Sequence, residues 1–173
     1  LSRDKGIEDL YEVLVSLRSR HPDIRLLLVG DVDDVDPLPP ALQQDINASN
    51  WVTHTGWVLD TSHFIREIDI LVFPSNREGL PNVLLEAAAS GVPAIAYAAT
   101  GSVDVIAEGE TGLLVPLGDP EGLVGAVERL IDDAALRHEM STNARNLVVE
   151  QFNSVDVEER WNSAYLMALG HTR

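Results

Sequence analysis

Two carboxylates and one ammonium group are the residues of this chain best suited to chemistry. Glu78 and Glu86 stand eight residues apart around Gly79-Leu80-Pro81-Asn82, and Lys5 is the single lysine. Two carboxylates on one crevice suit the hydroxyls of a ligand of sugar and nucleoside size, and an ammonium point charge suits phosphate. Pro81 fits a first helical turn, and a rise of about 1.5 Å per residue then keeps Glu86 less than ~10 Å along the axis from it. Neither Gly79 nor Leu80 carries a side-chain oxygen to cap such a helix, so its first N–H groups stay open to an anion such as a diphosphate.

Positioning those groups falls to an alternation of helices and strands. Ile7, Leu10, Tyr11, Leu14 and Leu17 recur at helical spacing, predicting a helix over 7–17. Residues 24–29 form a nearly continuous apolar run ending at Gly30, the pattern of a strand covered on both faces. The same reading predicts helices over 40–48, 62–67 and 81–90, with strands at 51–53, 70–73, 94–97 and 112–115. Helices alone follow, over 121–131, 134–149 and 155–169. Alternating strands and helices with short connections imply right-handed βαβ units, hence an α/β fold with a Rossmann-like parallel sheet flanked by helices and an all-helical C-terminal end. Such a domain normally opens with a central strand, whereas this chain opens at a loop and helix, so the sheet is expected without its first central strand. One domain is expected over 1–151, with a C-terminal helix over 152–173. Ligands of open parallel sheets bind beyond the carboxyl ends of the strands, which is where Glu78 falls.

Composition narrows the function. The chain has 173 residues, 45% hydrophobic, which suffices for one core. Its formal charge of −16 opposes nucleic acid as a partner. There is no cysteine, which excludes disulfides, thiol catalysis and thiolate zinc sites. No apolar run approaches the ~20 residues of a membrane span, and the default compartment is the cytoplasm. Asp31, Asp33, Asp34 and Asp36 do not make an EF-hand, since Asp36 and Leu42 occupy its glycine and glutamate positions, and they are read as a solvated acidic loop. No two histidines share a metal-ligand spacing, and no metal is expected. His54, at a strand end, is the histidine nearest the expected site.

The segment Pro74-Ser75-Asn76-Arg77-Glu78-Gly79-Leu80-Pro81-Asn82-Val83-Leu84-Leu85-Glu86, followed by Ser90-Gly91-Val92-Pro93, resembles the signature of the group 1 retaining nucleotide-sugar glycosyltransferases of GT-B architecture. The likeness extends to Asp4-Lys5-Gly6, to Thr55-Gly56-Trp57-Val58, to Thr100-Gly101-Ser102-Val103-Asp104-Val105-Ile106 and to Gly109-Glu110-Thr111-Gly112-Leu113-Leu114-Val115-Pro116. It therefore runs through nearly the whole chain in the family's order. Departures are Val32 in place of a second glycine, Asp104 in place of Glu, and a family arginine that falls one position before Leu1.

The resemblance implies a hexosyltransferase part, the C-terminal donor-binding domain, taking a nucleoside-diphosphate sugar as substrate with no cofactor. By it, Glu78 is the catalytic carboxylate facing donor-sugar hydroxyls, Glu86 accepts from the ribose hydroxyls and Lys5 neutralises the diphosphate. Gly79, Leu80, Pro81 and Asn82 hold sugar or phosphate oxygens, and Gly30, Gly56, Trp57 and Val58 line the nucleobase side. Implied partners are an N-terminal acceptor domain that this chain does not contain, toward which the last helix would cross, and a membrane surface for the full-length enzyme. Val157, Trp161, Ala164, Tyr165 and Ala168 form a stripe on that helix, through which two isolated copies would pair. The isolated domain is expected to bind nucleotide without transferring sugar. A binding-only module and a fragment of a nucleotide-sugar epimerase are the alternatives. A phosphoacceptor receiver is rejected because it needs a lysine at the end of a late strand.

Overall fold

The computed structural model describes residues 1–152 and 154–169. A 3-10 turn at Arg3–Lys5 leads into α1 (Ile7–Leu17), β1 (Leu26–Leu28), α2 (Pro40–Ala48), β2 (Val52–His54), α3 (Ser62–Ile65) and β3 (Leu71–Phe73). Then come α4 (Asn82–Ala89), β4 (Ala94–Tyr97), α5 (Ser102–Val105), β5 (Gly112–Val115), α6 (Pro120–Asp132), α7 (Ala134–Gln151) and α8 (Ser154–Ala168). All strand pairings are parallel, and helices flank them, as the α/β reading requires.

The expected single sheet is divided in two. β1 pairs with β2, and β3, β4 and β5 pair in that order, while β1 and β3 make no strand pairing with each other. One core nevertheless spans both sheets: Leu26, Leu28 and Trp51 cluster with Ile95, Tyr97, Leu113 and Val115, under Leu10, Val13, Leu14 and Leu17 of α1 and Leu123, Val127 and Leu130 of α6. The expected stripe on α1 gains Val13, while Tyr11 stacks on Trp51 with ring centroids 5.5 Å apart. β4 is buried at all four positions and paired on both edges, and β3 is half-buried along its length.

Local chemistry sets the ends of these elements. Asp119 caps α6 by accepting from the Gly122 N–H, with Pro120 in the first turn, and Asp133 caps α7 by accepting from Leu136. α4 stops at Ser90 and Gly91, the latter at φ 73°, before Pro93. Three expectations are corrected in detail. Pro81 is the N-cap of α4 and the helix begins at Asn82. The strand over 24–29 is hydrogen-bonded as a ladder only at Leu26–Leu28. The four-residue helix α5 arises in a segment read only as a motif; its N-cap is Gly101 at φ 83°.

Candidate functional site

The loops after β1, β2 and β3 and the 3-10 turn before α1 meet at one edge of the molecule. Gly6 makes that meeting possible. It sits at φ 68°, and a Cβ there would overlap the carbonyl of Pro74, so only glycine lets the turn lie on the end of β3. The Asn76 amide N–H donates to the Asp4 carbonyl at 2.9 Å, closing the contact.

Lys5 is thereby delivered to Glu78. Its Nζ lies 2.5 Å from Glu78 Oε1 and 6.0 Å from the centroid of the Phe73 ring. The same carboxylate oxygen accepts from Ser75 Oγ at 2.8 Å, and Ser75 is fully buried. Glu78 is thus held from below by a hydroxyl and from the side by the ammonium group, with its side chain 14% exposed. Ser75 stands inside the motif but has no role in the sequence reading. Its importance depends on burial, which a lone serine does not announce.

Glu86 lies exposed on α4, four residues into the helix. It does not itself line the cavity that Lys5, Glu78 and Pro81 border; Thr61, which does, donates from Oγ1 to Glu86 Oε2 at 3.2 Å. The two carboxylates therefore share one crevice through Thr61 rather than by direct exposure to it. At the start of α4 no side chain caps the helix, as expected from Gly79 and Leu80. Among the described residues the backbone N–H groups of Gly79, Leu80, Asn82 and Val83 have no hydrogen-bond partner. This leaves a cluster of donors beside Glu78.

A second glycine braces this loop. Gly101, at φ 83°, abuts the carbonyl of Gly79, and any Cβ there would overlap it and press on Pro81. The Thr100-Gly101 segment thus fixes the lead-in to α4 from behind, a contact between loops more than twenty positions apart.

The loops after β1 and β2 are clasped together. The Gly30 N–H donates to the Gly56 carbonyl at 3.0 Å, and His54 Nε2 lies 2.7 Å from the Gly30 carbonyl. The Trp57 N–H donates to Asp31 Oδ1 at 3.0 Å, and the Trp57 indole is 70% exposed. Gly30, Gly56 and Trp57 are thus joined into one unit, Trp57 through Asp31, while Val58 enters only as the residue after Trp57; the Leu1 ammonium group donates to the Asp31 carbonyl. His54 serves as a clasp for the Gly30 carbonyl.

The acidic loop turns carboxylates to backbone N–H groups, Asp33 within the loop and Asp31 and Asp36 outside it. Asp33 accepts from the N–H groups of Val35 and Asp36, which hold its carboxyl below the usual range, and Asp36 accepts from the Asp4 N–H at 2.9 Å. On the far side of α1, His21, Glu128 and Asp132 come together, their ligand atoms within 4.8 Å of one another. The sequence reading found no such grouping, because His21 lies in the loop after α1 and the carboxylates lie one turn apart on α6. Arg20 Nε occupies Glu128 Oε1 at 2.6 Å and lowers its carboxyl pKa.

Residues 1–147 match the family described as "Glycosyl transferases group 1". Among curated proteins, the chain is 31% identical over 163 residues to the capsular polysaccharide biosynthesis glycosyltransferase CapM of Staphylococcus aureus, covering 94% of this chain and 43% of that protein. It is 31% identical over 145 residues to the UDP-Gal:alpha-D-GlcNAc-diphosphoundecaprenol alpha-1,3-galactosyltransferase of Escherichia coli, covering 84% of this chain and 37% of that protein. The chain spans less than half the length of these relatives. Among solved structures, the C-terminal domain of the group 1 family glycosyl transferase LpcC from Francisella tularensis superposes with a TM-score of 0.79 at 25% identity, covering 89% of this chain and 83% of that one. No helix among the described residues is long and apolar enough to cross a membrane. With the signature segment folded around the Lys5–Glu78 pair and the family match running from residue 1 to 147, the chain belongs to the group 1 glycosyltransferases.

Proposed function

We propose that this chain is the donor-binding domain of a retaining glycosyltransferase, which moves a hexose from a nucleoside-diphosphate sugar to an acceptor hydroxyl. The observation that carries this reading is the Lys5–Glu78 pair, 2.5 Å apart and beside the unpartnered N–H groups that open α4. A diphosphate arriving at those N–H groups meets a local cation and the positive end of a helix. Lys5 then turns from Glu78 to phosphate, and the freed carboxylate oxygen, still held by Ser75, accepts from the sugar hydroxyls. Glu86 and Thr61 receive the ribose on the other side of the crevice, and the exposed face of Trp57 stacks on the base.

In this scheme the protein stabilises the departing diphosphate electrostatically, through Lys5 and backbone N–H groups. No protein-held metal enters it. The galactosyltransferase relative, whose name specifies a UDP-sugar donor, supports a nucleotide sugar as ligand. A partner domain presents the acceptor in the whole enzyme, and α8 runs toward it. Trp161 and Tyr165 of that helix are 68% and 66% exposed, which fits a face made to be covered; Val157 and Ala168 of the expected stripe lie outside the described side chains.

Transfer requires the acceptor hydroxyl to be held near the anomeric carbon with water excluded. Losing that pre-organisation removes on the order of 7 to 11 kcal/mol of barrier lowering, so the isolated chain binds without transferring. Calorimetry with UDP, GDP and ADP and their common sugars tests the first half, and labelled nucleotide sugars with a panel of acceptors test the second. Absence of binding at millimolar ligand overturns the donor-domain reading. Turnover above buffer overturns the division of labour between domains.

A further inference from the structure

Three metal-ligating side chains converge where α1 and α6 both end. His21 lies in the loop after α1, and Glu128 and Asp132 stand one turn apart at the end of α6. Among the described residues this is the one place where a histidine and two carboxylates come within such reach of each other. The loop is fixed before any ligand arrives. The His21 N–H donates to the Leu17 carbonyl at 2.9 Å and the Ile24 N–H to the His21 carbonyl at 3.1 Å. The Arg18 guanidinium donates to the carbonyls of Pro22 and Ile24 and lies 4.8 Å from the centroid of the Trp51 ring. On the other side, Leu123, Val127 and Leu130 anchor α6 in the core.

Glu128 Oε1 lies 3.4 Å from His21 Nε2, and Asp132 Oδ1 lies 3.9 Å from His21 Nδ1. Both distances exceed the ~2.7 to 3.2 Å of a good hydrogen bond. They are nearer the ~3.3 Å that separates two ligand atoms on one tetrahedral ion with bonds of about 2.0 to 2.2 Å. An ion takes only one ring nitrogen, and one such nitrogen lies with an oxygen of each carboxylate inside a span of 4.8 Å. The Asp132 side chain is 63% exposed and free to turn inward and close that span. Arg20 Nε holds Glu128 Oε1 at 2.6 Å, which leaves the second oxygen of that carboxylate for an ion. Arg137 is engaged with the carbonyls of Leu130 and Ile131. Carboxylates at a helix C-terminus oppose its dipole, so Glu128 and Asp132 are stabilised by more positive charge than one guanidinium supplies. We propose that His21, Glu128 and Asp132 form a site for one divalent transition cation of the zinc class, with water completing the coordination. An imidazole nitrogen among the ligands favours such an ion over Mg²⁺ or Ca²⁺, which take oxygen. The ion ties the loop after α1 to α6. None of the three residues lines the cavity around Lys5 and Glu78, so the ion braces the fold, and the inference does not rest on the nucleotide reading.

The test titrates zinc chloride into the 173-residue chain by calorimetry in a non-chelating buffer, with magnesium chloride for comparison, and follows thermal unfolding of the same samples. Saturable zinc binding is expected, roughly tenfold or more tighter than magnesium, together with a rise in melting temperature. His21→Ala and Asp132→Asn, on separate elements, should each weaken zinc by about tenfold or more and remove that rise. His138→Ala, on α7, should leave both in place. No saturable zinc binding at millimolar concentration overturns the proposal and leaves His21 as an ion-pair partner of the two carboxylates. Zinc bound equally by the parent, His21→Ala and Asp132→Asn chains also overturns it, by placing the ion elsewhere on the acidic surface.

Discussion

Lys5 and Glu78, 73 positions apart, form an ion pair at 2.5 Å, so that two groups proposed to bind the donor are each other's partners. Lys5 remains 44% exposed, so the pair contributes only about 0 to 1 kcal/mol to folding. Its greater consequence is for binding. Replacing Lys5 with Met is expected to raise the dissociation constant for a nucleoside diphosphate roughly tenfold, about 1.4 kcal/mol, while changing the urea midpoint little. Calorimetry and urea unfolding on one preparation check both halves, and a large stability loss with unchanged affinity contradicts the phosphate role.

The two glutamates are expected to separate by ligand. Glu86→Gln should weaken every nucleoside diphosphate, with or without sugar, because Glu86 is proposed to accept from the ribose hydroxyls. Glu78→Gln leaves the plain nucleotide nearly unaffected and removes the increment due to the sugar, on the order of 1 to 3 kcal/mol for a charged hydrogen bond left unmade. Equal losses for both variants with plain nucleotide refute this division.

Gly101→Ala is expected to destabilise the domain by about 1 to 3 kcal/mol, since the residue sits at φ 83° against the Gly79 carbonyl. The damage should fall on the α4 lead-in. Nucleotide affinity measured well below the variant's melting temperature should drop more than stability alone explains. Gly109→Ala is the control: it also has positive φ, at 76°, but nothing lies within 4 Å of its Cβ position. It should lose stability without losing affinity beyond that loss.

Tyr97 is fully buried and donates to Asp9 Oδ2 at 2.6 Å. Burial first, and the Asp9 carboxylate second, push the phenol well above its usual pKa. A raised folded-state pKa contributes stability that is full below the unfolded value near pH 10 and is lost as pH rises toward the folded one. Alkaline titration followed by tyrosinate absorbance should show Tyr97 ionising only with unfolding. Tyr97→Phe should cost about 1 to 3 kcal/mol at neutral pH by leaving Asp9 unpaired. It should also flatten the loss of stability above pH 10.

Helix positions, strand positions and the site segment follow from sequence because their signals are local. The apolar spacing over 7–17, the prolines at 40 and 120 and the stop at Gly91-Val92-Pro93 act within one or two turns of chain, and α1 and α2 take their expected bounds. Glu78 and Glu86 could be placed relative to one helix start for the same reason. Tertiary structure alone decided the rest. Thr61 against Glu86 and Gly101 behind Gly79 join separate segments, and Ser75 bonds Glu78 only because the loop after β3 buries its hydroxyl, with no periodicity to reveal any of them. The sheet division is of the same kind. An apolar run of three to six residues predicts a strand but not which edge finds a partner, because ladder bonds depend on what packing brings alongside. The sequence by itself determined which residue types, at which spacing, suit a nucleotide sugar; packing decided that Lys5 and Glu78 meet each other.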